Sequence, residues 1–575
     1  MSSILKKRWE IDPVIPEYVS QAMGEDIHPV LKQMLYNRGI QDGPSAGLYL
    51  SSSGSLFDPF LMKDMSAAVE RLWQAIDGNE GIAVYGDYDV DGVTATTLLV
   101  QVLRALGATA EGYIPNRFEE GYGLNNDALD GLVARGFKLV VSVDCGIRSP
   151  QEAAHARATG LDLIISDHHQ PNPEYFPEAI AVICPRRAGD PYPDKNLAGV
   201  GLAFKIAEAL VSTRPGCGVD VNDWLDLVAV GTVADMVPLV EENRSLVRAG
   251  LMRMRFGRRK GLASLMGVAN IAVKTINAQD IGFAIGPRLN AAGRLESAMQ
   301  AYELLISEDG AQTGMLAQKL DDQNHKRQEL TRRLQADAEA RYGEIQQDHI
   351  IISVLEDQES EELRGISGVV GLVAARLTDT FYRPSVVAVR GAEVTRASCR
   401  SIAEFNITAA LDECGDLFVR YGGHAMAAGF TVLNENLPEL ERRLREIAAR
   451  ELSERELTPI LHADLEITLR DLKPEILRYQ EMIEPTGLGN RRVAFVSRNL
   501  QVRSPRLMGA EKQHMRMVVS DGQILYDAVA FRMAAWYDKL KQPIDLLYVY
   551  EKNTYNNNES LQLRVLDIKA SSDVD

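Results

Sequence analysis

IAVYGDYDVDGVTATTLLVQVLRALG, residues 82–107, decides how this chain folds. Its first four residues form an apolar run too short for a helix, whereas from Thr94 onward the apolar positions recur at helical spacing. Between the two halves stand Asp87, Asp89 and Asp91, at every second position, closed by Gly92. The stretch therefore reads as a strand running into a helix with three carboxylates at the turn. LVVSV (139–143), LDLII (161–165) and IAVIC (180–184) are further short runs of this kind. NDALDGLVARG (126–136) and SPQEAAHARATG (149–160) lie among them and carry helical periodicity. Strand and helix alternate, which predicts an α/β fold with a parallel sheet covered on both faces.

Outward from this core, residues 1–75 read as a helical N-terminal segment with a loop, GPSAGLYLSSSGSLFDP, over 43–59. The sheet domain spans 76–310, its second half helical from about Ala198. Residues 311–345 hold no proline and are highly charged, which predicts one long connector helix bridging through solvent. Strand–helix alternation returns over 346–455 in a smaller α/β domain. The last segment, 456–575, contains short strands separated by turn signals and suits a β-barrel of the oligonucleotide-binding (OB) type.

Composition sets limits. The 575 residues suffice for three to five domains at ~100–200 residues each. No apolar run approaches the ~18 residues that a membrane span needs, and the first residues lack the apolar region of a secretory signal. Cys145, Cys184, Cys217, Cys399 and Cys414 are scattered without a CxxC pair, which excludes a disulfide framework and a zinc finger and fits a reducing cytosol. The net charge of −18 argues against coating duplex DNA through an overall field. Two basic stretches depart from it: Arg244 to Lys260, with seven cations and no acid, and Leu488 to Val519, with seven cations against Glu511 alone. Each reads either as a solvated surface or as the wall of a local nucleic-acid channel.

The chemistry gathers where parallel strands end. The first delivers Asp87, Asp89 and Asp91; LVVSV delivers Asp144; LDLIIS delivers Asp167, His168 and His169. Asp235, after an apolar helix, can add one more carboxylate. Closely spaced carboxylates repel one another unless a cation neutralises them. An oxygen-dominated set with imidazole and no thiolate favours Mn²⁺ or Mg²⁺, and about six donors suffice for two ions. Two such ions suit in-line hydrolysis of a phosphodiester or phosphoanhydride.

GDYDVDG, VDCG, SDHH and GTVADMVPL resemble the four metal motifs of the DHH phosphoesterase superfamily. IPNRFEEGYGL (114–124), LAGVGLAFKIAEAL (197–210), GPRLNAAGRL (286–295), YGGHAMAAGF (421–430) and PTGLGNRRVAF (485–495) resemble, more narrowly, the RecJ family of single-stranded-DNA exonucleases. The resemblance runs from roughly residue 30 onward. It implies a parallel-sheet DHH domain joined by a long helix to a smaller α/β DHH-associated domain, plus a C-terminal OB-type barrel. It implies Asp87, Asp89, Asp91, Asp144, His168 and Asp235 as metal ligands, with Asp144 bridging two ions and His169 facing the phosphate. Arg117, Arg288, Asn290, Arg294, Ser398 and Arg400 would hold substrate phosphates, and His424 would reach the scissile phosphate from the associated domain. Two positions depart from the family pattern: Gly365-Ile366 stands where Trp-His is usual, and Cys399 replaces a glycine in ASCRS (397–401).

The activity implied is 5′-to-3′ degradation of single-stranded DNA to mononucleotides, in repair and recombination. Single-strand-binding protein and a RecQ-type helicase are the implied partners, and a monomer in the bacterial cytosol the implied state. Two alternatives stay open. One is a DHH phosphodiesterase acting on short oligonucleotides or cyclic dinucleotides, against which the basic terminal barrel speaks. The other is a non-enzymatic scaffold, against which the retained carboxylates and histidines speak.

Overall fold

Strand β1 (Gly81–Gly86) is an interior strand of a five-stranded parallel sheet, because its residues are apolar toward both faces. Ile82 and Val84 enter one core cluster, Ala83 and Tyr85 the other. The structure is a computed structural model describing residues 6–51, 56–117, 119–343, 348–356, 365–540, 543–555 and 558–571. With β2 (Thr109–Tyr113), β3 (Leu139–Val143), β4 (Asp162–Ser166) and β5 (Ala181–Ile183), the sheet order is β2-β1-β3-β4-β5. β2 escapes prediction because TAEGY is a polar edge strand whose exposed and buried positions alternate. From β1 the chain steps to one side and returns on the other, so the carboxyl ends of β1 and β3 flank the point where the winding reverses. Open α/β sheets bind ligands there.

Helices α1 (Val90–Ala105), α2 (Gly199–Thr213), α3 (Leu225–Ala234) and α4 (Gly286–Leu295) cover the sheet domain. The predicted connector is α5 (Gly310–Gly343), but it does not cross solvent. Ala317 and Leu320 pack into the core of the sheet domain, and Leu334 and Ala338 into that of the next domain. The helix reads as solvated because its buried face is half polar: Thr313, Asp321, Gln323, Asn324 and Thr331 are all buried. The following domain places α6 (Ile366–Phe381) against a sheet of β6 (Ile351–Glu356), β7 (Ser385–Arg390), β8 (Val394–Arg400), β9 (Phe418–His424) and β10 (Ala427–Leu433), ordered β9-β10-β8-β7-β6. Sheet domain, α5 and this domain form one unit, Ser55–Leu457.

The second unit joins Met1–Gly54 to Thr458–Asp575. Five strands, β11 (Phe495–Met508), β12 (His514–Ser520), β13 (Leu525–Ala530), β14 (Ile544–Tyr555) and β15 (Asn558–Ala570), close into a barrel because β11 pairs with both β12 and β14. Val19, Met23, Leu31, Met34 and Leu35 fill the same core cluster as Phe495, Met515 and Tyr548 of the barrel. Arg8–Ile11 adds a parallel strand to Ile460–Ala463. Arg38, buried, binds Asp464 at 2.9 Å, the Asn490 side chain at 2.7 Å and the Arg491 carbonyl at 2.7 Å. The segment expected over 1–75 is therefore divided between the two units. Its expected loop starts with a helix, Gly43–Leu50, because Asp42 accepts the Ser45 N–H at 2.7 Å and Pro44 suits a first turn.

Candidate metal centre

Asp87 follows β1, Asp89 caps α1 and Asp91 lies in its first turn. Asp91 is fully buried and accepts the Gly199 N–H at 2.6 Å and the Val200 N–H at 2.8 Å, both at the start of α2. Glycine is required at 199 because a Cβ there would stand 2.6 Å from the Asp144 Cβ. Asp144, after β3, adopts φ +62°, a left-handed conformation costing on the order of 1–3 kcal/mol at a non-glycine residue. His168 and His169 follow β4, and Asp235 ends α3.

The side chains converge in three overlapping groups, each with donor atoms within 4.8 Å of one another: Asp87, Asp89 and Asp144; Asp91, His168 and Asp235; Asp144, His168 and His169. His168 Nε2 lies 3.2 Å from Asp144 Oδ1, 3.5 Å from Asp235 Oδ2 and 3.9 Å from Asp91 Oδ2. Yet, among the described residues, neither ring nitrogen of His168 makes a hydrogen bond, nor does Asp144 Oδ1 or Asp87 Oδ1, although all are buried. Buried polar atoms rarely stay unsatisfied, so atoms that converge without bonding one another point to a shared third partner.

Electrostatics agree. Burial, then the charge of Asp89, pushes the Asp91 carboxyl up to about 7. Burial, then Asp91 and Asp89, pushes Asp235 up to about 9. Asp87 and Asp144 are raised well above the ordinary carboxylate range by burial and their acidic neighbours. Burial keeps His168 neutral, lowering its pKa to about 3. A divalent cation would reverse both the desolvation and the repulsion. Oxygen donors with neutral imidazole fit Mn²⁺ or Mg²⁺, while burial raises the neighbouring Cys145 thiol and keeps it protonated.

Asp167 does not join these groups. Its Oδ1 accepts from the His169 N–H at 3.0 Å and lies 2.8 Å from His169 Nδ1, while Oδ2 accepts the Ile147 N–H at 2.9 Å. It orients His169, a role its place two residues earlier at the same strand end could have signalled. Tyr122, 54% exposed, meets both Tyr88 and His169 edge-on and so belongs to the site. Of the other two aromatics near a nucleic-acid channel by sequence, for which core packing is the expected role, Phe495 is core, and Phe118 lies outside the described residues.

Among the expected phosphate binders, Arg294 is the meeting point. It is half-buried, its Nη1 donates to the Gly368 carbonyl at 2.9 Å, and the charges of Arg117, Arg400 and Asp89 act on it. Arg400 Nη1 donates to Ser398 Oγ at 3.2 Å, and Arg117 lies over the Tyr88 ring. Arg288 departs from expectation: its Nε binds Asp321 Oδ1 at 2.8 Å, so an acid of α5 already neutralises it. Asn290 is half-buried on α4, and His424, at the end of β9, is exposed and outside the metal groups.

The basic stretches resolve differently. In the first, Arg253 pairs with Asp223 and Arg259 with Asp226, while Arg255, Arg258 and Lys260 are exposed. In the second, Arg491, Arg492, Arg498 and Arg516 pair with acids, leaving Arg503, Arg506 and Lys512 exposed.

Three family models match the chain: DHH family, N-terminal domain, over 81–232; DHHA1 domain over 348–450; and RecJ OB domain over 463–567. The Bacillus subtilis (strain 168) protein named single-stranded-DNA-specific exonuclease RecJ is 37% identical over 98% of this chain and 71% of its own length. Its Salmonella typhimurium namesake is 34% identical over 94% of this chain and 96% of its own. The chain belongs to the RecJ family. A crystal structure of RecJ from Thermus thermophilus in complex with Mn²⁺ superposes with a TM-score of 0.82 at 27% identity, covering 98% of this chain and 79% of that one. A Mg²⁺ complex from the same organism gives 0.75 at 26% identity, over 98% of this chain and 78% of that one. Within this RecJ-family frame, α4 and the whole of α5 fall between the matched DHH and DHHA1 regions.

Proposed function

We propose that this chain hydrolyses single-stranded DNA from its 5′ end to mononucleotides, with Mn²⁺ or Mg²⁺ held by Asp87, Asp89, Asp91, Asp144, His168 and Asp235. The observation that carries this reading is the set of buried, converging and unbonded donor atoms of Asp87, Asp144 and His168 at the sheet's reversal point. Family membership supports the substrate, because the relatives are named for single-stranded DNA. The closed barrel with exposed Arg503, Arg506 and Lys512 supports it as well, since backbone contacts suffice to hold a single strand.

When bound, the divalent ions supply an activated water and neutralise charge on the reacting phosphate. The protein does the rest. Asp91, anchored by two backbone N–H groups, and Asp144, fixed in a strained turn, hold the donor atoms apart without rearrangement. His169, held at 2.8 Å by Asp167, would face the phosphate; burial opposes its charge, but the Asp167 contact and the nearby Asp89 and Asp87 outweigh it and raise its pKa. Arg294, Arg117 and Arg400 hold phosphate oxygens, and Tyr122 offers a ring to the adjacent base.

A nuclease confined to single strands depends on strand separation, which is why a RecQ-type helicase and single-strand-binding protein fit as partners of a monomeric, cytosolic enzyme. No helix among the described residues is long and apolar enough to cross a membrane. The deciding experiment compares 5′- and 3′-labelled single strands with Mn²⁺, Mg²⁺ or EDTA. Mononucleotide release from the 5′ end that stops in EDTA is expected; cleavage only of dinucleotides or cyclic dinucleotides would overturn the reading.

A further inference from the structure

We infer that helix α5 is part of the substrate site: Arg327, steadied by Asn324, binds a phosphate of the nucleic-acid strand next to Arg294. This rests on the nucleic-acid reading above and adds a contact that neither the sequence motifs nor the matched regions assign.

The starting point is an imbalance along one helix. Asp321, Asn324 and Arg327 lie three residues apart and so share a face of α5. Asp321 is engaged by Arg288 at 2.8 Å, with His325 Nδ1 at 3.5 Å from its other oxygen. One turn on, Arg327 meets no acid among the described residues. Its Nη2 donates to Asn324 Oδ1 at 2.8 Å, and its buried Nε makes no hydrogen bond there. Asn324 is 1% exposed, and its amide nitrogen is likewise unbonded. The charges acting on Arg327 are those of Arg376 and Arg288, both repulsive, and burial, the larger cause, lowers its pKa with them.

Arg327 also acts on Arg294, together with Arg117 and Arg400, and burial with these neighbours lowers Arg294 to about 10. The charges of Arg117, Arg327 and Arg400 thus all reach the half-buried Arg294, with Asp89 of the metal centre the nearby acid. An isolated buried charge is costly, and a cluster of like charges more so, unless an anion completes it. Arginine forks fit phosphate oxygens, and the amide nitrogen of Asn324 supplies a neutral donor beside them. The strand phosphate adjoining the scissile one would lie within this cluster. The polar composition of α5 that hides its packing from a sequence reading is the composition such a site needs.

The test uses the full-length protein in EDTA, so that strands bind without being cut, with fluorescent oligodeoxythymidylate as the probe. Arg327→Gln should weaken binding about tenfold or more and make the log–log salt dependence shallower by ~0.7, one phosphate contact on a single strand. Its melting temperature without DNA should stay level or rise, because an unbalanced buried charge has been removed. Arg327→Lys should recover part of the affinity. Mn²⁺ binding should be unchanged in both variants. Wild-type affinity and salt slope in Arg327→Gln would overturn the inference. So would a lower melting temperature with binding lost equally in Arg327→Lys, which would mark a packing role. Absence of strand binding by the wild-type protein would instead overturn the nucleic-acid reading itself.

Discussion

His168 Nε2 and Asp144 Oδ1 face each other across 3.2 Å of protein interior without a hydrogen bond between them. The pair makes sense as two donors aimed at one ion, and it leads directly to the first test.

Asp144→Ala should abolish hydrolysis, by on the order of a thousandfold or more, since a carboxylate shared by two of the three donor groups disappears. The fold should survive, because the change relieves repulsion among buried acids. In melting experiments the wild-type protein should gain stability on adding Mn²⁺ through preferential binding to the folded state, and the variant should lose most of that gain. A variant with more than about a tenth of wild-type activity would contradict the assignment.

Asp167→Ala separates orienting from ligating. His169 would lose its 2.8 Å partner, and turnover should fall by about ten- to a hundredfold, the usual cost of removing an orienting partner. Titration with Mn²⁺ should give an affinity near that of the wild type. A collapse of metal affinity instead would make Asp167 a ligand.

Gly199→Ala probes the close approach of α2. Its methyl group would meet the Asp144 Cβ at 2.6 Å and push either the helix start or the aspartate aside. Overpacking of this kind costs about 1–3 kcal/mol, readable as a lower denaturation midpoint. Activity should drop more than stability does, because both Asp91 anchors sit at the same helix start.

Arg38→Met tests the second unit. It strips Asp464, a fully buried carboxylate, of its 2.9 Å partner, leaving Arg491 at 4.0 Å and the Ala494 N–H at 3.0 Å, and breaking a buried pair costs about 3–5 kcal/mol. Hydrogen exchange should rise through the barrel and the N-terminal helices together, while residues 81–232 keep wild-type protection. Faster exchange confined to the region around residue 38 would mean that the N-terminal helices open independently of the barrel.

Where local pattern and final environment coincide, the sequence is enough. The run LVVSV becomes β3 over the same five residues, and the strand-end aspartates and histidines do gather, because parallel strands joined by crossovers of one hand bring their carboxyl ends to one edge. What stays hidden is pairing at long range. Nothing near Arg288 in sequence announces Asp321, and nothing in the charged run of α5 announces that its polar side chains are buried. The Gly-Pro-Ser reading of residues 43–45 as a loop fails for a local reason, the capping side chain of Asp42.

The indole of Trp9 donates to Asp567 at 2.8 Å, a bond spanning 558 residues of sequence. For a chain made from one end to the other, this union sets a timetable. The segments carrying Val19, Met23 and Leu35 leave the ribosome before the Ser55–Leu457 unit, yet the strands that cover them leave after it. At ~5–20 residues per second the interval is on the order of half a minute to two minutes. The catalytic unit can fold within it, while the earlier-made helices wait with their apolar side exposed. Any product that stalls before β11 carries that exposed face permanently, which marks it for chaperones and proteases and makes an intact barrel a condition for an intact beginning.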